Sequence, residues 1–304
     1  MDMNEKIAWN QARAKAEGWT ASLFGCKQID ASFVNAVALF QKENGLTPDG
    51  LCGSNTFRRK YSEDMEEITT STFKNGGEYI IVNDRKVRIY WDKVTTFDEQ
   101  PEFKAQKGFH SPRSRRTPNF FVTHWDVTLS STHCFRILFE RGLMVHFLID
   151  NDGRIIQTCD TNMVCYHAGG SLWNENSIGV EISNAYDLKW QSWYQQKGFG
   201  PRPIVKGAKA HGSTLEDHLG FYDVQDRALA ALWEAVSFAY AIPLRMPITT
   251  DGVDPECVKG TFHGFIHHYN LTQKKIDCAG MDNAKVLSLA QKIREQRTAE
   301  ANKA

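Results

Sequence analysis

The sequence predicts an α/β fold, a mixed β-sheet flanked by helices, preceded by a small all-α domain. Three observations carry this reading. Apolar residues recur at the helical period within the first sixty positions. Short apolar runs of strand type follow at 120–123, 146–149, 154–157 and 177–183. Two further helical segments, 223–240 and 282–297, come after the strands. At 304 residues the chain exceeds one domain of ordinary size, which agrees with two units.

The elements read in order as follows. Residues 8–24 supply a first helix and residues 30–44 a second. Asp30 or Ser32 caps the second, and Phe33, Val37 and Phe40 recur along one face, with Val34 and Ala36 widening the stripe. Asn44-Gly45 ends it, and Pro48-Asp49-Gly50 is a turn. Gly53-Ser54-Asn55-Thr56 offers a cap for a third, short helix carrying Phe57 and Tyr61. The three bound a domain over 1–62. Over 63–118 the composition changes. Glu78–Trp91 reads as two strands around Asn83-Asp84, followed by a polar stretch with Pro101, Pro112 and Pro118, the pattern of a linker with an accessory hairpin. The α/β unit occupies 119–297, with a hairpin about Asp152-Gly153 and a buried strand over Ser177–Ser183. The aromatic-rich stretch 186–222 (Trp190, Trp193, Tyr194, Phe199, Phe221, Tyr222) reads as a satellite core, with a groove wall as the other reading. The last residues, 298–304, are expected to fray.

Charge excludes some function classes. Lys+Arg and Asp+Glu balance at 36 each, so no global field favours nucleic acid or an anionic membrane. No apolar run approaches the ~20 residues needed to span a bilayer. The polar N-terminus has no secretory apolar segment, so synthesis in the cytoplasm is expected. The seven cysteines are scattered without a framework and are expected as mostly buried free thiols, with Cys26 and Cys52 able to approach each other.

Chemistry concentrates in two places. His124 follows an apolar strand, and a later segment carries His267-His268 and, ten residues on, Asp277-Cys278. One histidine with a thiolate or carboxylate across a short loop, joined by a distant histidine, gives three protein ligands and leaves zinc's fourth position for water. Glu181 lies within the apolar run Ile178–Ile182, where an acid is costly unless it is paired or functional.

Four stretches, FFVTHWD (120–126), VHFLIDNDGRIIQ (145–157), YHAGGSLWNENSIGVEI (166–182) and HHYNLTQKKIDCAG (267–280), occur in the order of a known family. They resemble the zinc-dependent N-acetylmuramoyl-L-alanine amidases, a family that includes phage lysozyme-type amidases, bacterial muropeptide amidases and peptidoglycan recognition proteins. The resemblance implies a Zn2+ cofactor held by His124, His268 and Cys278, with Asp277 competing for the third place and His267 for the second. Ala279 stands where the family has proline. The resemblance also implies that Glu181 activates the attacking water. It implies that Lys275 supports the oxyanion, although Ile276 occupies the family's usual position for that helper, and that His167 lines the groove. Val34–Thr56 resembles the three-helix peptidoglycan-binding domain. The implied activity is an endolysin-like cut between N-acetylmuramic acid and L-alanine, on bacterial peptidoglycan reached after release by another agent. The alternatives are a non-catalytic recognition protein on the same fold and a zinc peptidase acting within the stem peptide.

Overall fold

The computed structural model describes residues 1–17, 19–53, 56, 57, 60 and 78–302. Helix α1 (Met3–Glu17) is followed by a 3-10 turn (Ala21–Phe24) that stops at left-handed Gly25, φ 69°, so the segment expected as one helix over 8–24 is two elements. Helix α2 (Ala31–Glu43) starts where Asp30 accepts the N–H groups of Ser32 and Phe33 at 2.9 and 3.2 Å. Trp19, Phe33, Val37, Cys52 and Phe57 form the core of this unit, with the free thiol Cys26 packed against it. Thr56 and Phe57 are helical, whereas Tyr61 lies outside the described residues. Ile137, from the α/β unit, completes the same cluster. The Asp49–Gly53 loop is held from both helices. Asn10 donates to Gly50 O (2.9 Å) and accepts from Cys52 N–H (2.8 Å), and Gln41 bonds Asp49, Gly50, Leu51 and Thr56.

Strands β1 (Tyr79–Val82) and β2 (Arg85–Arg88) form the expected hairpin, with Asn83 and Asp84 at φ 51° and 61°, as a tight turn between right-twisted strands demands. The described part of the expected linker packs into the α/β unit. Ile80, Val82, Ile89 and Val94 are buried in its main core, and β3 (Val94–Thr95) is an edge strand of its sheet. β4 (Phe109–His110) pairs elsewhere, with β8 (Val164–Cys165).

The sheet comprises β3, β5 (Phe120–Trp125), β6 (Phe147–Ile149), β7 (Ile155–Gln157), β9 (Ser177–Ile182) and β14 (Gly264–His267), ordered β14-β5-β9-β6-β7-β3; short strands β10 to β13 lie between residues 204 and 219. β14, β5, β9 and β6 are mutually parallel, and β7 runs antiparallel to β6. Both faces are covered. Phe121, Phe147, Ile178, Val180 and Phe265 point to one side, against α6 (Asp223–Tyr240) and α8 (Asn283–Ala301). On the other side, α3 (Ser131–Glu140) covers Leu148 and Ile156, and α4 (Ser171–Glu175) sits beside β8 and β9. The 186–222 stretch, which includes α5 (Gln191–Gln196), forms a satellite core of Trp190, Trp193, Tyr194 and Leu219, and Arg202 lies over the rings of Tyr194 and Tyr222 at 4.2 and 4.4 Å; a short α7 (Pro255–Val258) precedes β14. Among the described residues, no helix is long and apolar enough to cross a membrane.

Helix α8 continues to Ala301, past the position where fraying was expected, because Glu300 accepts from Arg88 Nη1 and Tyr90 Oη, both at 2.8 Å. About one and two turns earlier, Arg297 and Arg294 reach the fully buried Glu234 of α6 at 2.7 and 2.8 Å. A buried carboxylate stripped of its cations is costly. Replacing both arginines with alanine is therefore expected to lower stability by about 3–5 kcal/mol in urea denaturation; a change near zero would show that Glu234 needs neither.

Candidate active site

Parallel strands carry their C-terminal ends to one edge of the sheet, which is where open α/β sheets hold their ligands. In the β5–β9 register His124 lies opposite Glu181, so both side chains leave the same face at that edge. Alternation sorts the rest. Ser177, Gly179 and Glu181 share the cleft face of β9, while Ile178, Val180 and Ile182 enter the main core. The same alternation separates the two adjacent histidines. His267, the last residue of β14, follows Phe265 to the helix side, where its Nε2 meets Asn283 Oδ1 at 2.7 Å and burial pushes its pKa down to about 4. His268 begins the following 3-10 turn and faces the cleft.

Three donors converge there. Asp277 Oδ2 is 3.0 Å from His124 Nδ1 and 3.3 Å from His268 Nδ1, and His124, His268 and Asp277 are together the set that could hold a metal ion. Tetrahedral zinc with bonds of about 2.0–2.1 Å places neighbouring ligand atoms about 3.3 Å apart, so these separations fit. Burial lowers the His124 pKa to about 4, with His268 adding to the effect and Asp277 opposing it. Burial alone would raise the Asp277 carboxyl, but His268 and the close contacts with both imidazoles hold it well below the usual range. A neutral His124 imidazole and an ionised Asp277 carboxylate are the protonation states a divalent cation requires of these ligands.

Cys278 is not brought into this set. It is buried in an apolar cluster with Trp125, Tyr269 and Ala279, and burial, with Asp277 next, drives its thiol pKa well above the usual value. Glu181 and Lys275 both line the cleft, and Lys275 contributes to lowering the His124 and Asp277 pKa values.

His167 stands between strand and ligand. Its Nδ1 is 3.0 Å from His124 Nε2, and its Nε2 is 3.2 Å from Ser177 Oγ. The Ser177 hydroxyl has a shorter bond, 2.7 Å, to Trp173 O, and a hydroxyl donates only once. With that hydrogen committed, Ser177 Oγ accepts from His167 Nε2–H and His167 Nδ1 accepts from His124 Nε2–H. That tautomer would present the His124 Nδ1 lone pair to a metal ion held beside Asp277. Burial, then His124, keeps His167 neutral, as the relay needs. Gly179 makes room for it, since a Cβ there would lie 2.6 Å from the ring. Asn174 Oδ1 accepts both His167 N–H (3.1 Å) and Ala168 N–H (2.8 Å), fixing the loop. Ser177, Gly179 and Asn174 are not legible as site residues in the sequence; only the period-two spacing of 177, 179 and 181 could have pointed to two of them.

The cleft has a volume of about 840 Å3 and runs from the ligand set past Tyr166, Trp173 and α4, with Arg141, Lys274 and Arg13 also on its walls. A cleft at parallel strand ends, with a His–His–Asp set and a carboxylate on the next strand, has the parts that metal-assisted hydrolysis uses. The sequence profile of the N-acetylmuramoyl-L-alanine amidases matches residues 114–278, 165 of the chain's 304 residues. The chain belongs to that family and is a peptidoglycan amidase. No curated protein matches the chain. Among solved structures it is similar to a selenomethionine derivative of AmpD (16% identity, 66% of this chain and 96% of that one, TM-score 0.38). It is also similar to the amidase LysC from Clostridium intestinale URNW (17%, 64% and 95%, 0.35). A third is the Ph2119 endolysin from Thermus scotoductus MAT2119 bacteriophage Ph2119 (13%, 65% and 98%, 0.38).

The relay makes a direct prediction. His167→Phe keeps the bulk and removes the acceptor, so zinc affinity measured by competition with a chromogenic chelator is expected to fall roughly 10–100-fold. Unchanged affinity would make His167 a packing residue only.

Proposed function

We propose that the chain uses zinc held by His124, His268 and Asp277 to hydrolyse the amide between N-acetylmuramic acid and the first L-alanine of the stem peptide. The observation that supports this most is the convergence of those three donors at the end of β5 and β14, with Glu181 on the adjoining strand position. Zinc bound there supplies Lewis acidity to the attacked carbonyl and acidifies the attacking water.

The chain's own residues do the rest. Glu181 accepts the proton of the water that adds to the lactyl carbonyl. As the C–N bond breaks, the same carboxyl returns that proton to the departing alanine nitrogen, leaving a lactyl carboxylate and a free amine. Lys275 lines the cleft beside Asp277 and supports the negative oxygen formed in between. His167 holds His124 in its ligating tautomer, a positioning role rather than the substrate contact its place in the groove first implies. The N-terminal unit is a wall anchor that raises the local concentration of insoluble substrate.

Digestion of purified sacculi followed by mass spectrometry tests the reading. The expected products are intact stem peptides with a new alanine N-terminus and glycan strands carrying lactyl carboxylates. A different new amine means a stem peptidase, and no release at all means a recognition protein. Glu181→Gln is expected to fold, keep its zinc and lose about 10²–10⁴-fold in rate; a loss below about tenfold argues against its acid–base role.

A further inference from the structure

A second cleft, about 630 Å3, opens on the other side of the ligand loop, between that loop and the N-terminal unit. Trp9 and Arg13 of α1 line it, one helical turn apart on the same face, with the Arg13 guanidinium 5.9 Å from the Trp9 ring centre. Asp49, Leu51 and Gly53 line it as well, on the loop that Asn10 and Gln41 hold rigid. The two clefts have four residues in common: Arg13, Lys274, Lys275 and Asp277. Asp277 belongs to the ligand set, so the metal position sits where the clefts meet. The other three place positive charge along that junction.

We propose that Arg13, with Lys274 on the same junction, binds a free carboxylate of the stem peptide as it leaves the scissile amide, making the N-terminal unit part of the active-site wall. The proposal rests on the amidase reading. Charge selects the occupant: an N-acetylated glycan has no anion to offer once its lactyl group is in the amide, whereas a stem peptide ends in carboxylate. Guanidinium is suited to carboxylate through two parallel N–H donors. The shared core also explains why the two units hold their relative position, since Ile137 of α3 lies in the same cluster as Phe33, Val37 and Phe57. Removing residues 1–62 would therefore strip a wall and bare a core residue together, and a point change in the full chain is the cleaner probe.

The experiment compares Arg13→Ala, Arg13→Lys and the unaltered protein on a soluble muropeptide with free stem carboxylates, and on the same muropeptide with those carboxylates amidated. Arg13→Ala is expected to raise KM for the free acid roughly 10–100-fold, the loss of one charged hydrogen-bonded contact, with kcat little changed. KM for the amidated substrate should not move, Arg13→Lys should recover part of the loss, and the melting temperature should stay constant. An unchanged KM on the free acid, or an equal rise on both substrates, overturns the proposal. Cleavage of neither substrate by the unaltered protein would sink the amidase reading instead. Calorimetric titration with the free stem peptide, unaltered protein against Arg13→Ala, then still decides the site: weaker binding by Arg13→Ala supports it and equal binding overturns it.

Discussion

The parallel pairing of β5 with β9 on one side and β14 on the other decides where His124, Glu181 and His268 can be. Each pair is in register over four to six residues, so the strands end nearly level. A one-residue slip of β9 would send Glu181 into the apolar layer under α6 and bring Val180 or Ile182 to the cleft. Such a slip would place a carboxylate where Phe121, Phe147 and Phe265 now pack, and that cost secures the register. Catalytic geometry and core patterning are thus the same constraint seen from opposite faces of one sheet.

The histidines illustrate how the fold sets protonation before any ligand arrives. His124, His167 and His146 lie close together, with ring centres 5.2 and 6.0 Å apart along the series. Burial, acting with the neighbours' charges, keeps each of them neutral. Each ring is also tied at its far side: His146 Nδ1 accepts the N–H of Gly179, and His167 is tied to Ser177. The lone pair that matters is aimed by a hydroxyl and a backbone carbonyl behind the ligand, which is how a ligand's orientation is held with little freedom to lose on binding.

Much of this was legible in the sequence. The strand runs and the α6 and α8 helices follow from periodicity, and the meeting of His124, His268 and Glu181 in one cleft follows from motifs in family order. Other features were not. Asp277 and Cys278 are adjacent, and spacing alone cannot say which of two neighbours faces the cleft; only the packing of the thiol against Trp125 and Tyr269 separates them. The stretch around 78–118 reads as a linker because its prolines and charges hide isolated aliphatics, Ile80, Val82, Ile89 and Val94, whose burial depends on a distant helix. Arg13 gave no signal, because its place beside Lys274 and Asp277 comes from a cleft formed by segments about 260 residues apart in the chain.

The central claim is that two imidazoles and a carboxylate, not a thiolate, hold the metal. X-ray absorption at the zinc edge of the loaded protein tests it most directly. The account predicts a first shell of nitrogen and oxygen only, at about 2.0–2.1 Å. A sulfur scatterer at about 2.3 Å would put Cys278 in the shell and contradict it.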